Sequence, residues 1–449
     1  MNSQGDRWTT DQVLALAPDE TSSRAGGKLA GPGPWSDAGA GDGAVWGRCK
    51  GSGKTPYQAV IDTKGPAFSC SCPSRKFPCK HALGLLLLWA GGGDAVAAGE
   101  PPQWAAEWLA ARRQRADREA GGGAPSRAPA DPEAAARRAE RRTQRIRAGA
   151  TELEQRLEDL LHSGLASADG AGQDSWEETA ARMVDAQAPG LAARVRELSS
   201  IAASGPDWPA RLLEECALLH LLDQGFLGID HLPAPLAATV RTRVGLTTEA
   251  ADVLTGLDAT PVRDRWLVLA QHDSDDGRLT TRRIYLRGDR TGRMALYLSH
   301  GGAHRPLEPA LPPGLVLDAE LAYYPGARPL RAALGKRHAP AAPGPVPPGC
   351  GIDAALAAYG DALRHDPWLD SWPVVLADVT PIPGLDGAGW QLADADGESA
   401  LPLDPRCLDR PGRWQLAAIS GGAPVTVFGE CGHRGFLPLT VWDPAPVSL

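Results

Sequence analysis

Cys70-Ser71-Cys72-Pro73-Ser74-Arg75-Lys76-Phe77-Pro78-Cys79-Lys80-His81 is the stretch on which the reading of this chain turns. Three cysteines and one histidine stand in the order C-x-C-x6-C-x-H. Three thiolates and one imidazole are a complete tetrahedral set for Zn2+, and they leave no open position for a catalytic water. The expectation is one structural Zn2+ held by Cys70, Cys72, Cys79 and His81.

The flanking sequence says how those ligands are carried. Ala44–Gly47 and Tyr57–Asp62 read as the two strands of a hairpin. Ala67–Ser69 is an extended segment that delivers Cys70 and Cys72, and Pro73 bends the chain after them. Pro78 and Cys79 open a helix that runs from Lys80 to Trp89 and stops at Gly91-Gly92-Gly93. Leu83, Leu86, Leu87 and Ala90 follow helical spacing and face the hairpin. So small a unit buries too little to fold by burial alone, and structural zinc contributes on the order of 10–16 kcal/mol in finger peptides. Arg75, Lys76 and Lys80 stand beside the thiolates and offset their charge. With Lys50 and Lys54 of the hairpin they form a candidate basic face for a partner.

The four ligands, with a hairpin before and a helix after, resemble the SWIM zinc finger. Trp46-Gly47, Gly51-Ser52-Gly53 and Pro56-Tyr57 are similar to the N-terminal part of bacterial SWIM zinc finger family proteins. The resemblance covers roughly residues 8–92. It implies a zinc-dependent module for binding protein, DNA or RNA. Members also occur in Mutator-type transposases and chromatin-remodelling ATPases, but no nuclease or helicase motif stands here, so those activities do not carry over. Bacterial members are encoded near MoxR-type AAA ATPases and von Willebrand A-domain proteins, which implies an AAA ATPase system as partner.

Gly51-Ser52-Gly53-Lys54-Thr55 imitates a phosphate-binding loop. The first glycine of that motif would fall at Arg48, Pro56 follows at once, and a strand comes next where the motif needs a helix. A glycine-rich hairpin turn is the better reading.

Charge is unevenly placed. The 449 residues carry a net charge of −8, yet Arg48–His81 holds seven basic residues against one acid, and Arg112–Arg147 eleven arginines against five acids. An acidic protein is no general polyanion binder, while two local basic patches can meet a phosphate backbone or an acidic surface. The eight cysteines do not form a disulfide framework, and their clustering points to metal in a reducing compartment. The N-terminus carries no secretory pattern, and the apolar run Leu83–Ala90 is too short for a bilayer. No membrane association and a cytoplasmic location are expected.

In chain order, a short capped helix over residues 8–16 precedes a glycine-rich loop to about Gly43. After the finger come an Arg-rich helix beginning near Trp104 and a linker, Gly121–Pro129. A helix from Pro132 to His162 leads into a helical bundle. There Asp174 and Glu177 look like a capping pair, and helices open at Pro189, Pro209 and Pro235 with Cys216 on an apolar stripe. After Pro261 the periodicity becomes two. Strands are expected at Arg265–Ala270, Arg283–Leu286, Met294–Leu298, Leu315–Tyr324, Pro373–Val379, Gly389–Ala393, Trp414–Ile419, Val425–Phe428 and Leu437–Val441.

The fold class is therefore α+β: an N-terminal ββα zinc knuckle, a central α-helical domain and a C-terminal antiparallel β-rich domain. The divisions fall at 1–95 (core 44–92), 96–132, 133–256 and 257–449, with a short helix near 353–363. Cys431-Gly432-His433 with Cys407 lacks two ligands for a second site, and Cys49 is surplus to a complete set. His272, Asp273, Asp275 and Asp276 read as hairpin-turn residues, and Trp46, Trp89, Trp104 and Trp108 as core. No catalytic signature is found. The expected function is non-enzymatic: a zinc-organised interaction protein, with an enzyme whose site lies in the β-rich domain as the alternative.

Overall fold

The computed structural model describes residues 7–51, 55–64, 67–74, 76, 78–93, 95–120, 132–165, 172–201, 205, 207–257, 259–275, 279–301, 309–339, 341–384, 389–407 and 412–449. It is a mixed α+β chain with three sheets and a helical bundle.

The N-terminal layer begins with α1 (Thr10–Leu14), whose Thr9 and Gln12 form a capping box, and α2 (Glu20–Gly27), capped by Asp19. Strands β1 (Trp35–Gly41), β2 (Ala44–Cys49), β3 (Tyr57–Asp62) and β4 (Ala67–Cys70) form an antiparallel run. The short β5 (Ala97–Ala98) adds to β1 in parallel. Helix α3 (Lys80–Ala90) covers one face of this sheet. Helix α4 (Gln103–Ala120) covers the other, where Ala105 and Leu109 meet Ala44, Trp46 and Val60. Arg112 of α4 donates to Asp62 at 2.9 Å. The sheet layer thus extends past residue 95 into the Arg-rich segment. All four tryptophans singled out in the sequence lie in or against these cores.

The glycine-rich loop expected up to Gly43 is instead α2 and β1. Two of its glycines, Gly26 and Gly39, answer to close packing. A Cβ on Gly26 would sit 2.8 Å from Leu83 Cβ, and one on Gly39 would sit 2.7 Å from the Trp46 ring. Both approaches are closer than a side chain allows, so the helix and the strand need glycine where they touch α3 and β2.

The middle sheet has β6 (Val262–Asp275) at its centre, with β7 (Thr280–Gly288), β8 (Met294–Gly301), β9 (Leu315–Tyr323), β10 (Ala332–Arg337) and β11 (Ala342–Pro343) around it. It is buried on both faces. Trp266 and Val268 join the core that contains α3, whereas Leu267 and Leu269 join the core of the last sheet. That is the period of two working as a divider between layers. The last sheet comprises β12 (Ser371–Ile382), β13 (Gln391–Ala393), β14 (Ala400–Pro402), β15 (Val425–Gly432), β16 (Gly435–Asp443) and β17 (Ala445–Ser448). It follows α11 (Ile352–His365), the short helix expected near 353–363.

The strand expected at Trp414–Ile419 is a helix, α12 (Gly412–Ser420). Gly412, Leu416 and Ser420 are its buried positions, spaced by four, while Trp414 faces solvent. The hydrophobic content was read correctly and its period was not.

The bundle has its own core. It is built from α5 (Pro132–Ser163), α6 (Gly172–Asp185), α7 (Pro189–Ile201), α8 (Trp208–Leu227) and α9 (Ala234–Val244), followed by the short α10 (Ala250–Thr255). Helix α6 starts at Gly172, so the positions of Asp174 and Glu177 fall inside it and not at its start. Glu177 accepts from Arg196 of α7 at 3.1 Å. Trp368, just before β12, inserts into the bundle core and donates its indole N–H to Leu218 O at 2.9 Å.

Candidate metal centre

Each ligand is delivered by a different local constraint. Cys70 ends β4 in register with Ala59 of β3. Ser71 then locks the turn, because its N–H donates to Gln58 O (3.0 Å) while its hydroxyl accepts from the Gln58 N–H (2.9 Å). Cys72 is thereby held against the end of the sheet. Cys79 is the residue before the first turn of α3, with extended backbone angles, and His81 is the second residue of that helix. The sheet supplies two ligands and the helix start supplies the other two.

The four ligand atoms lie within 4.8 Å of one another, and Cys70 Sγ is 3.8 Å from His81 Nδ1. The edge of a tetrahedron with metal–ligand bonds of 2.0–2.3 Å is about 3.5–3.8 Å, so small side-chain adjustments close the set around one ion. The Tyr57 ring packs against His81 at a centroid distance of 4.8 Å and steadies its plane. Among the described residues this is the one group of metal-capable side chains whose ligand atoms converge.

The protein's own groups make the three thiols unequal. The hydrogen bond from Cys70 draws the Cys79 thiol down and pushes the Cys70 thiol up, while burial pushes the Cys72 thiol up. The start of α3 also favours charge on Cys79, where the Ala82 N–H points at its sulfur. Zn2+ takes all three as thiolates, and its charge replaces the shared protons that otherwise hold them together.

Cys49 is fully buried on β2 and stands outside the converging group; burial pushes its thiol up. Cys407 and Cys431 belong to the core of the last sheet, with Cys431 pushed up to about 11 by burial. Asp273 is gripped by Arg282 at 2.8 Å through two hydrogen bonds. Asp276 and the side chain of Asp275 lie outside the described residues. The segment after the glycine-rich turn is the strand β3, where a phosphate-binding loop would need a helix.

Of the five basic residues expected to face a partner, Lys50, Lys76 and Lys80 line one groove of about 510 Å³ beside the knuckle. Lys54 and Arg75 lie outside the described residues. The opposite wall is α2, through Thr21, Ser22 and Ala25, with Leu29 beyond its end. This wall falls in the stretch expected as a glycine-rich loop. Only the N-cap signal of Asp19 ahead of Glu20 and Ser22 hinted at it. A second cavity of about 360 Å³ lies between the bundle and the last sheet. It is lined by Glu197, Glu215, Asp370, Glu430, Arg406 and His433 among others.

The family model of the SWIM zinc finger matches residues 69–90, which hold all four ligands. The model of the SWIM-associated four-helix bundle domain matches residues 141–244, from within α5 to the end of α9. No curated protein and no solved structure matches the chain. The finger match and the convergent ligand atoms together make this a zinc site for one structural Zn2+.

Proposed function

We propose that this protein is a non-enzymatic interaction protein in which zinc shapes a docking surface for another protein. The observation that carries the reading is the groove at the knuckle. Cys72 and His81 line it together with three lysines, so loss of the metal would deform the groove itself. Four protein ligands close the coordination sphere, which assigns the ion to architecture and not to chemistry. The net charge of −8 argues against a general polyanion binder and favours a protein partner over DNA or RNA. Among proteins, an AAA ATPase system of the MoxR type is the first candidate, because the finger resembles bacterial members encoded beside such ATPases. Among the described residues no helix is long and apolar enough to cross a membrane.

The test is a photo-cross-linker placed at Ser74, on the rim of the groove. In the full chain, in its native cell, it should capture a protein when the knuckle is intact and lose it in Cys72→Ser. Capture of nucleic acid would replace the protein partner with a nucleic-acid one. Capture indifferent to Cys72→Ser would remove the role of zinc.

One observation favours the alternative, an enzyme with its site in the β-rich domain: the cavity between bundle and last sheet gathers carboxylates around His433. Two of its polar groups are already engaged, Arg406 with Asp404 at 2.7 Å and Glu430 with the Tyr285 hydroxyl. A substrate screen in which Glu430→Gln abolishes turnover would establish that reading.

A further inference from the structure

We infer that the groove beside the knuckle recognises an acidic segment of the partner, an extended peptide that alternates carboxylate and apolar side chains. The inference rests on the interaction reading above and specifies what the groove accepts.

The groove already holds a carboxylate of its own. Asp19 accepts from Lys76 Nζ at 2.5 Å and from the Ser22 N–H at 2.7 Å, and these contacts hold its carboxyl down to about 2. One internal acid thus engages one of the three lysines. Lys50 and Lys80 are exposed and have no ion pair among the described residues. Their ammonium groups are the open positions for carboxylates from outside.

Zinc sets the balance of charge. One Zn2+ with three thiolates leaves the centre at −1. Asp19 adds a second negative charge, and Lys50, Lys76 and Lys80 together outweigh the two. Counted over the described residues, the rim is therefore attractive to anions, as the carboxylates of a short acidic segment require. The lining agrees. Ala25, Leu29, Tyr57 and Pro73 give the groove an apolar floor that a phosphate chain would leave unused and that peptide side chains would cover. Tyr57, the aromatic residue of the groove, is packed on His81 and is not offered for stacking on a base. A peptide lying along the groove would place carboxylates on the lysines and every second, apolar side chain against α2.

The test uses the full-length zinc-loaded protein and two fluorescent probes in an anisotropy titration: a peptide alternating glutamate with leucine, and an oligothymidylate of matching length. The peptide should bind more tightly than the oligothymidylate. Lys50→Glu with Lys80→Glu should weaken the peptide about tenfold or more. Asp19→Asn keeps a good helix cap while releasing Lys76, so it should tighten the peptide about threefold; a gain cannot be produced by misfolding. No peptide binding, unchanged affinity in the double lysine variant, or tighter binding of the oligothymidylate overturns the inference. If the peptide binds through a surface the lysine variant does not touch, yet Cys72→Ser abolishes it, the zinc-dependent interaction stands and only the groove assignment falls. Indifference to Cys72→Ser removes both.

Discussion

The zinc knuckle and the helical bundle both bring acidic groups together in the interior, and they neutralise them by different means. In the knuckle, three thiols and a histidine from one short stretch are gathered by a cation. In the bundle, Glu154 of α5 faces Asp223 of α8, and both are buried, Asp223 completely. Glu154 Oε2 lies 2.6 Å from His220 Nδ1 and accepts from Gln224 Nε2 at 2.9 Å. Glu154 Oε1 and both Asp223 oxygens find no donor among the described residues. Two carboxylates so placed cannot both ionise. Burial first, and then the neighbouring Glu154, raise the Asp223 carboxyl to about 9. A proton does in the bundle what a metal does in the knuckle. The contrast is one of strength: a tetrahedral metal site organises the fold around it, whereas a shared proton only makes an awkward pair tolerable.

Removing the metal gives the largest effect. Cys72→Ser, or exhaustive chelation, should abolish the single Zn2+ measured by elemental analysis. It should also release amide exchange through β3, β4 and α3 by several kcal/mol of local stability. The spread of that loss tests the architecture. Helix α3 is apolar all round, with Leu83, Leu85, Leu86, Leu87, Leu88 and Trp89 all buried, and it shares a core with Trp266 and Val268 of the middle sheet. Exchange should therefore quicken in β6 and β7 as well, while the bundle, with its separate core, stays protected. Equal loosening of the bundle would break the division between the two regions. Unchanged exchange in the knuckle would show the ion to be dispensable.

The bundle responds to pH where the knuckle responds to metal. Because the folded-state pKa of Asp223 is raised, its contribution is fully present below the ordinary carboxylate range and is lost as pH rises towards about 9. Bundle stability should fall across that window with a slope of up to about 1.4 kcal/mol per pH unit. Asp223→Asn keeps the shape and removes the ionisable group, and its amide can donate to Glu154. The variant should show a flatter profile and exceed the parent above neutrality, as read by amide exchange in α5 and α8 at several pH values. Parallel profiles for the two proteins would dismiss the shared proton.

These two regions were not equally legible in the sequence. The knuckle was readable because all its information is local: four ligand types at fixed spacing, a bend at Pro73 and a helix start at Cys79. The bundle helices were readable from their apolar stripes, and Pro189, Pro209 and Pro235 marked their starts. Asp223 was not, because it sits among Leu219, Leu222 and Phe226 on the inward side of α8, and spacing alone does not say that an acid faces inward. Its partner Glu154 comes from another helix, so the pair exists only once α5 and α8 are packed. The groove suffered in the same way. Its lysines were visible, but its far wall is α2, hidden behind a glycine-rich stretch that looks like a loop although Gly26 in it is a contact point with α3. At Trp414–Ile419 an apolar stretch could serve either period, and packing of Leu416 and Ser420 chose the helix.

The smallest expected effect concerns one residue type in two roles. Cys216 lies on α8, 2% exposed, with its thiol pushed up to about 11 by burial. There it is a small apolar side chain and nothing more. Cys216→Ala should cost about 1 kcal/mol through the lost sulfur contacts and should leave zinc content at one per chain. The native thiol should also resist iodoacetamide at neutral pH, because the reacting species is the thiolate and burial suppresses it. In the chelated protein the three knuckle cysteines should alkylate before Cys216, because the loosened knuckle exposes them while the bundle core stays closed. A cysteine is thus a ligand or a core residue according to what surrounds it. Loss of zinc in Cys216→Ala, or rapid alkylation of Cys216 in the folded protein, would erase that distinction.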